Sequence, residues 1–131
     1  RMTKDEVVGF WVSASDEAWD TAEKLVGLGK RSDGLFFAHL AVEKIIKALF
    51  YDKKDDNPPP IHNLDKLAKN VGTDITQEQL DELKEITGFN VSARYDDYKR
   101  SFYKKATMEY TSVWIKKAKH IRDYFKSLIF V

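Results

Sequence analysis

His39, Glu43 and Lys47 stand at i, i+4 and i+8 in the stretch Phe36–Phe50, which is otherwise rich in apolar helix formers and holds no Gly or Pro. On a helix the three polar side chains share one narrow stripe, with Lys44 at its edge. Two readings of the stripe stay open. Glu43 lies correctly N-terminal to Lys47 for an i, i+4 ion pair, which would make the stripe structural; otherwise it is a site. Several chemistries are excluded at once. A di-iron bundle needs Glu-x-x-His pairs, and none of His39, His62 or His120 has a Glu three positions earlier. No glycine-rich phosphate loop and no zinc-protease signature occur, so no metal or cofactor is expected. Without Cys there is no thiol catalysis, thiolate metal site or disulfide. What is left is Arg, Lys, His and Tyr chemistry, which suits phosphates better than carbonyls.

The elements that must position these groups read as helices. Thr3 and Glu6 have capping-box spacing, and Val7/Val8, Trp11, Ala14, Ala18, Ala22 and Leu25/Val26 follow at three- and four-residue steps, predicting a helix to about Leu28. Ser13, Ala14, Ala18 and Ala22 would let a second helix approach closely, with Trp11 and Trp19 as core anchors. The central helix, buried on nearly all sides, is expected from an N-cap at Ser32 to about Lys53. Lys53 to Pro60, ending in Pro58-Pro59-Pro60, must leave the core as an extended connection. Leu64, Leu67, Ala68 and Val71 predict a short helix from near Asn63 to a stop at Gly72, and His62 just before it reads as a helix-start residue. Thr76 with Gln79, flanked by Ile75 and Leu80, starts a fourth helix that Gly88 ends. Phe89 to Tyr103 has weak apolar periodicity and reads as a partly irregular connection. The last helix turns Ala106, Tyr110, Val113/Trp114, Ala118, Ile121, Phe125 and Leu128/Ile129 inward and Lys116, Lys117, Lys119, Arg122 and Lys126 mostly outward.

No period-two alternation is sustained, so the expected fold is all-α, an up-and-down bundle of about five helices, three long and two short, in one domain over residues 1–131. The net charge of +1 hides an asymmetry. Residues 1–88 hold 12 Lys/Arg against 17 Asp/Glu, and 89–131 hold 10 against 4. A basic C-terminal third suits phosphate or nucleic acid, or balances acidic groups inside the bundle. No run approaches the ~20 apolar residues of a membrane helix, and the charged start is unlike a signal peptide, so a cytoplasmic protein is expected.

Ala38-His39-Leu40-Ala41-Val42-Glu43-Lys44-Ile45-Ile46-Lys47-Ala48-Leu49, then Pro59-Pro60-Ile61-His62-Asn63-Leu64-Asp65-Lys66-Leu67, then Ala93-Arg94-Tyr95-Asp96-Asp97, in that order, resemble the HEPN domain family over nearly the whole chain. The resemblance implies an α-helical bundle, often dimeric, found in prokaryotes beside minimal nucleotidyltransferases in toxin and antitoxin pairs, with nucleotide or RNA binding as its role. Glu43, Lys44, Lys47, Arg94 and Tyr95 match the family pattern. Ribonuclease members carry an Arg, four to six residues and a His, a cation and an acid/base group around a scissile phosphate. Here Arg94 is followed at those offsets by Lys99, Arg100 and Ser101, and Arg100 by Lys105, Ala106 and Thr107. A binding member without ribonuclease activity is therefore expected. In it Arg94 would supply a forked donor, Tyr95 an aromatic face or hydroxyl, and Lys99, Arg100 and Lys104 the surrounding field. Alternatively, Arg94 pairs with a carboxylate such as Glu43 and is structural. A homodimer is expected too, because so small and aromatic a chain has more apolar surface than one bundle covers.

Overall fold

A computed structural model describes residues 1–90 and 96–131 of the chain. These form α1 (Lys4–Gly27), α2 (Arg31–Lys54), α3 (Leu64–Val71), α4 (Gln77–Thr87), α5 (Asp96–Lys105) and α6 (Met108–Ser127), with no strand among the described residues. The chain is all-α, with one helix more than the periodicity predicts. The extra helix is α5, which falls where an irregular connection is expected; it buries one side chain, Phe102, so it leaves almost no apolar repeat to read. Among the described residues no helix is long and apolar enough to cross a membrane.

The start and stop signals act as their chemistry dictates. Thr3 with Glu6 and Thr76 with Gln79 both form reciprocal capping boxes, which satisfy two orphan N–H groups at each helix start. Gly72 ends α3 in the left-handed region at φ 83°, where a Cβ would be strained. Ser32, expected as the cap of the central helix, lies inside α2, and the N-cap position falls to Lys30, whose side chain makes no capping bond. Gly29 at φ 78° turns the chain tightly enough for α2 to begin that early.

α2 is the hub, packing against α1, α3, α5 and α6, while α4 bridges α3 and α6. Its Leu35, Ala38, Ala41, Val42, Ile45, Ile46, Ala48 and Leu49 are fully buried, leaving no wide solvated face. Trp19 is buried beside it, and Trp11 is partly buried against the core. Two expectations for α6 are corrected. Val113 points outward, and the buried position is Thr111. Arg122 is buried instead of outward: its Nη1 donates to Asp16 at 2.7 Å and to the Ser15 hydroxyl at 3.2 Å, with the guanidinium 5.7 Å from the Trp19 ring centroid. Ser15 in turn donates to the Ala41 carbonyl at 2.6 Å, so one polar chain ties α6 through α1 to α2.

The close approach of α1 and α2 depends on Gly34. A Cβ there would lie 2.5 Å from Val26 Cγ2 and 3.1 Å from the Ala22 carbonyl oxygen, with no flexible side-chain end to yield. Gly34→Ala gains about 1 kcal/mol of helix propensity but incurs about 1–3 kcal/mol of overpacking, so a net loss is expected. Gly9, with nothing within 4 Å of its Cβ position, is the control. Urea unfolding should show Gly9→Ala stabilised and Gly34→Ala destabilised; equal shifts of one sign would mean that the helices are not in this contact.

Candidate functional site

The polar stripe of α2 is inside the protein. His39 is 1% exposed, and the side chains of Glu43 and Lys47 are 12% and 15% exposed. Lys47 Nζ donates to Glu43 Oε2 at 3.0 Å, the i, i+4 pair that the spacing predicts, and sits 5.7 Å from the Trp11 ring centroid. On the other side of the carboxylate, His39 Nε2 is 3.5 Å from Oε1, too long for a full hydrogen bond, and neither His39 ring nitrogen has a hydrogen-bond partner. His62 Nδ1 comes within 3.9 Å of the same oxygen from the segment before α3. His62 is thus not the helix-start group that its position predicts. Asn63 holds the N-cap position and makes no side-chain capping bond, while His62, with its side chain 72% exposed, reaches back over Glu43. Lys44 is half-buried at the edge of the stripe.

Burial alone would push the Glu43 carboxyl up, but His39 and Lys47 beside it outweigh that and hold it down at about 2. The bundle therefore encloses a carboxylate with one strong partner and two imidazoles at longer range. Although two of the three His residues gather here, the described residues contain no group of three His, Cys, Asp or Glu placed to hold a metal ion.

A second place forms on α5. Lys99, Arg100, Tyr103 and Lys104 line a groove of about 400 Å³ closed by Ser32 and Asp33 from the first turn of α2. The i, i+4 spacing sets Lys99 beside Tyr103 and Arg100 beside Lys104 in two adjacent rows. All four are exposed, Tyr103 to 72%. No carboxylate pairs with Lys99, Arg100 or Lys104 among the described residues, nor with Lys116 or Lys117, whereas four other cations of the basic third have such partners. Lys105 pairs with Glu85 at 2.8 Å, Lys119 with Asp123 at 3.1 Å, and Arg122 and Lys126 with Asp16 at 2.7 and 3.1 Å.

The groove is held by what lies beneath it. Phe102 packs on Phe89 with ring centroids 5.5 Å apart, and Phe89 meets Tyr110 and Trp114 edge-on at 6.2 and 6.1 Å. Tyr110 donates its hydroxyl to Glu85, which also receives Lys105. Burial, then the bond to Glu85, pushes the Tyr110 hydroxyl up, while Lys105 and Tyr110 hold Glu85 down against its own desolvation.

Of the residues singled out in the sequence, the fold joins Glu43 to Lys47 and gathers Lys99, Arg100 and Lys104, but keeps the two groups apart. Asp33 and Glu43 are ten positions apart on α2, about 15 Å along its axis. Arg94 and Tyr95 lie outside the described residues, and with them the question of an Arg94–Glu43 pair. Sequence reasoning missed Ser32 and Asp33 as the far wall of the groove, and Tyr103 as its aromatic member. Tyr103 alone left a signal, its i+4 distance from Lys99.

Compared with known proteins, the chain matches the model of the HEPN domain family over residues 8–128. No curated protein and no solved structure matches it.

The buried carboxylate makes stability depend on acid. A Glu in the unfolded chain takes up its proton near pH 4.5, whereas Glu43 keeps its charge in the fold down to about 2, so acid favours the unfolded chain. The stability contributed by this charge is whole above about pH 4.5 and is lost as pH falls toward 2; it is at most about 3 kcal/mol. In urea unfolding between pH 2.5 and 7, Glu43→Gln should be less stable than the parent at pH 7, and the gap should close on acidification. A gap that stays constant would show that the carboxylate is not held ionised by its neighbours.

Proposed function

The chain belongs to the HEPN domain family, and on that premise we propose that it is a nucleotide- or RNA-binding module, the partner of a minimal nucleotidyltransferase in a toxin–antitoxin-type pair. The observation that carries the binding part is the cationic face of α5. Three positive charges without carboxylate partners stand in a groove with an exposed tyrosine, whereas Lys105 and Arg122 are paired within the bundle. Arg100 offers a forked donor to phosphate oxygens, and Lys99 and Lys104 serve as point charges on either side. Tyr103 provides a π-face on which a base stacks. Asp33, in the same groove, repels a phosphate on its side and accepts from a base amine or ribose hydroxyl, which orients the ligand. Arg94 and Tyr95, together with the Glu43–Lys47 stripe and Lys44, belong to this reading through the family pattern.

The same reading includes a homodimer in the cytoplasm. Phe10, Leu28 and Val113 are exposed to 67, 74 and 48% in the single chain, large apolar side chains that a second copy would cover. The module works without cleaving RNA, because no His follows Arg94 or Arg100 at the family's ribonuclease spacing. A second reading, a divergent ribonuclease, is favoured by one contact, the exposed His62 with its Nδ1 3.9 Å from the ionised Glu43, an arrangement that orients an imidazole as an acid/base group. In a third, the basic last helix and Pro58-Pro59-Pro60 dock a protein partner and no nucleic acid is bound.

Replacing Lys99, Arg100 and Lys104 together by Ala should leave the melting temperature nearly unchanged, because all three are exposed, and weaken binding of a short single-stranded RNA by about a hundredfold or more. Fluorescence anisotropy measures the affinity, and light scattering at tens of micromolar the dimer. Unaltered RNA affinity in the triple variant would move the site elsewhere, no binding by the parent would leave the docking reading, and cleavage abolished by His62→Ala would put the protein among the ribonucleases.

A further inference from the structure

On the other side of the α2 N-terminus, a separate cavity of about 450 Å³ lies between the end of α1 and the first half of α6. Arg31 lines this cavity and Asp33 the α5 groove; two positions apart, they point about 200° away from each other around the helix. The walls are Val26, Ile115 and Met108, and the backbone of Gly27 and Gly29 leaves the space that larger side chains would fill. No Asp or Glu lines it, but two cations do, Arg31 and Lys116. Nε of Arg31 donates to the Ala106 carbonyl at 2.8 Å, which fixes the guanidinium and leaves its terminal nitrogens available. Neither Arg31 nor Lys116 meets a carboxylate among the described residues. Thr111, 1% exposed in the cavity wall, has a hydroxyl without a hydrogen-bond partner.

We propose that this cavity binds a small amphipathic anion, with a compact apolar body against Val26, Met108 and Ile115 and a single carboxylate, sulfonate or phosphate head at Arg31 and Lys116. The volume is that of a small-molecule site, and the lining has the composition of one, mostly apolar with a few charged groups of one sign. A neutral apolar ligand would leave the two cations unused; a strongly polar polyanion would find no partners on the walls. The site is independent of the α5 groove.

The test uses the whole chain and two probes, 8-anilinonaphthalene-1-sulfonate, read by its fluorescence, and decanoate as its competitor. One saturable sulfonate site per chain is expected, displaced by decanoate and not by decanol at equal concentration. Lys116→Gln, at an exposed position, should weaken the sulfonate by about tenfold or more, the loss of one charge-assisted contact. Ser112→Trp, which fills the cavity from an exposed position on α6, should abolish binding with the melting temperature unchanged. The triple α5 variant should bind the sulfonate as the parent does, which separates this site from the RNA groove. Absence of saturable binding up to millimolar probe would overturn the proposal. So would binding that survives both Lys116→Gln and Ser112→Trp, or equal displacement by decanol.

Discussion

A helix surrounded on all sides has nowhere to put its polar groups, and the bundle is arranged around that constraint on α2. Each charged side chain that α2 carries inward needs a partner, since an unpaired buried charge costs far more than a typical contact contributes. Glu43 is met by Lys47 from its own helix and approached by His62 from the segment that follows the prolines. Asp52 accepts the backbone N–H of Phe130 at 3.0 Å and faces Lys4 at 3.8 Å, so the two ends of the chain meet at the same carboxylate. At Ala41 a backbone carbonyl of α2 takes the Ser15 hydroxyl, which in turn accepts from Arg122 of α6. The polar groups of α2 thus do more than escape a penalty: they fix where α1, α6 and the loop before α3 lie.

That arrangement explains which parts of the fold the sequence makes legible. Helix ends written in local chemistry are readable, because Thr3, Thr76 and Gly72 act within a turn of themselves. So is the burial of α2, whose apolar residues cover most of its circumference. Three features are not readable, each for a different reason. The α5 helix rests on Phe102 alone, and one anchor gives no period. Arg122 carries a charge that composition places outside, yet its partners Ser15 and Asp16 lie more than a hundred positions away in the chain. His62 approaches Glu43 from outside α2, a tertiary contact that its place next to a helix start does not announce.

The candidate site follows the same division. The Glu43–Lys47 pair is legible because both partners are on one helix. The groove on α5 is only half legible, since Lys99, Arg100 and Lys104 stand together in the sequence while Ser32 and Asp33 arrive from the start of α2. Charge counting alone shows a basic C-terminal third and leaves open whether it is spent inside the bundle or offered to a ligand. Among the described residues Lys105, Lys119, Arg122 and Lys126 are paired with carboxylates, while Lys116, Lys117 and the three cations of the groove are not. Whether a charge has a partner inside the fold is a property no composition contains.

The proposed binding rests on contact between the groove cations and phosphates. Its most direct measurement is the affinity of the chain for a short single-stranded RNA as a function of salt concentration. Three cations that each neutralise one phosphate predict a slope of log K against log salt of about −2. A slope near zero, with binding intact, would mean that the RNA is held without those charges, and would contradict the account.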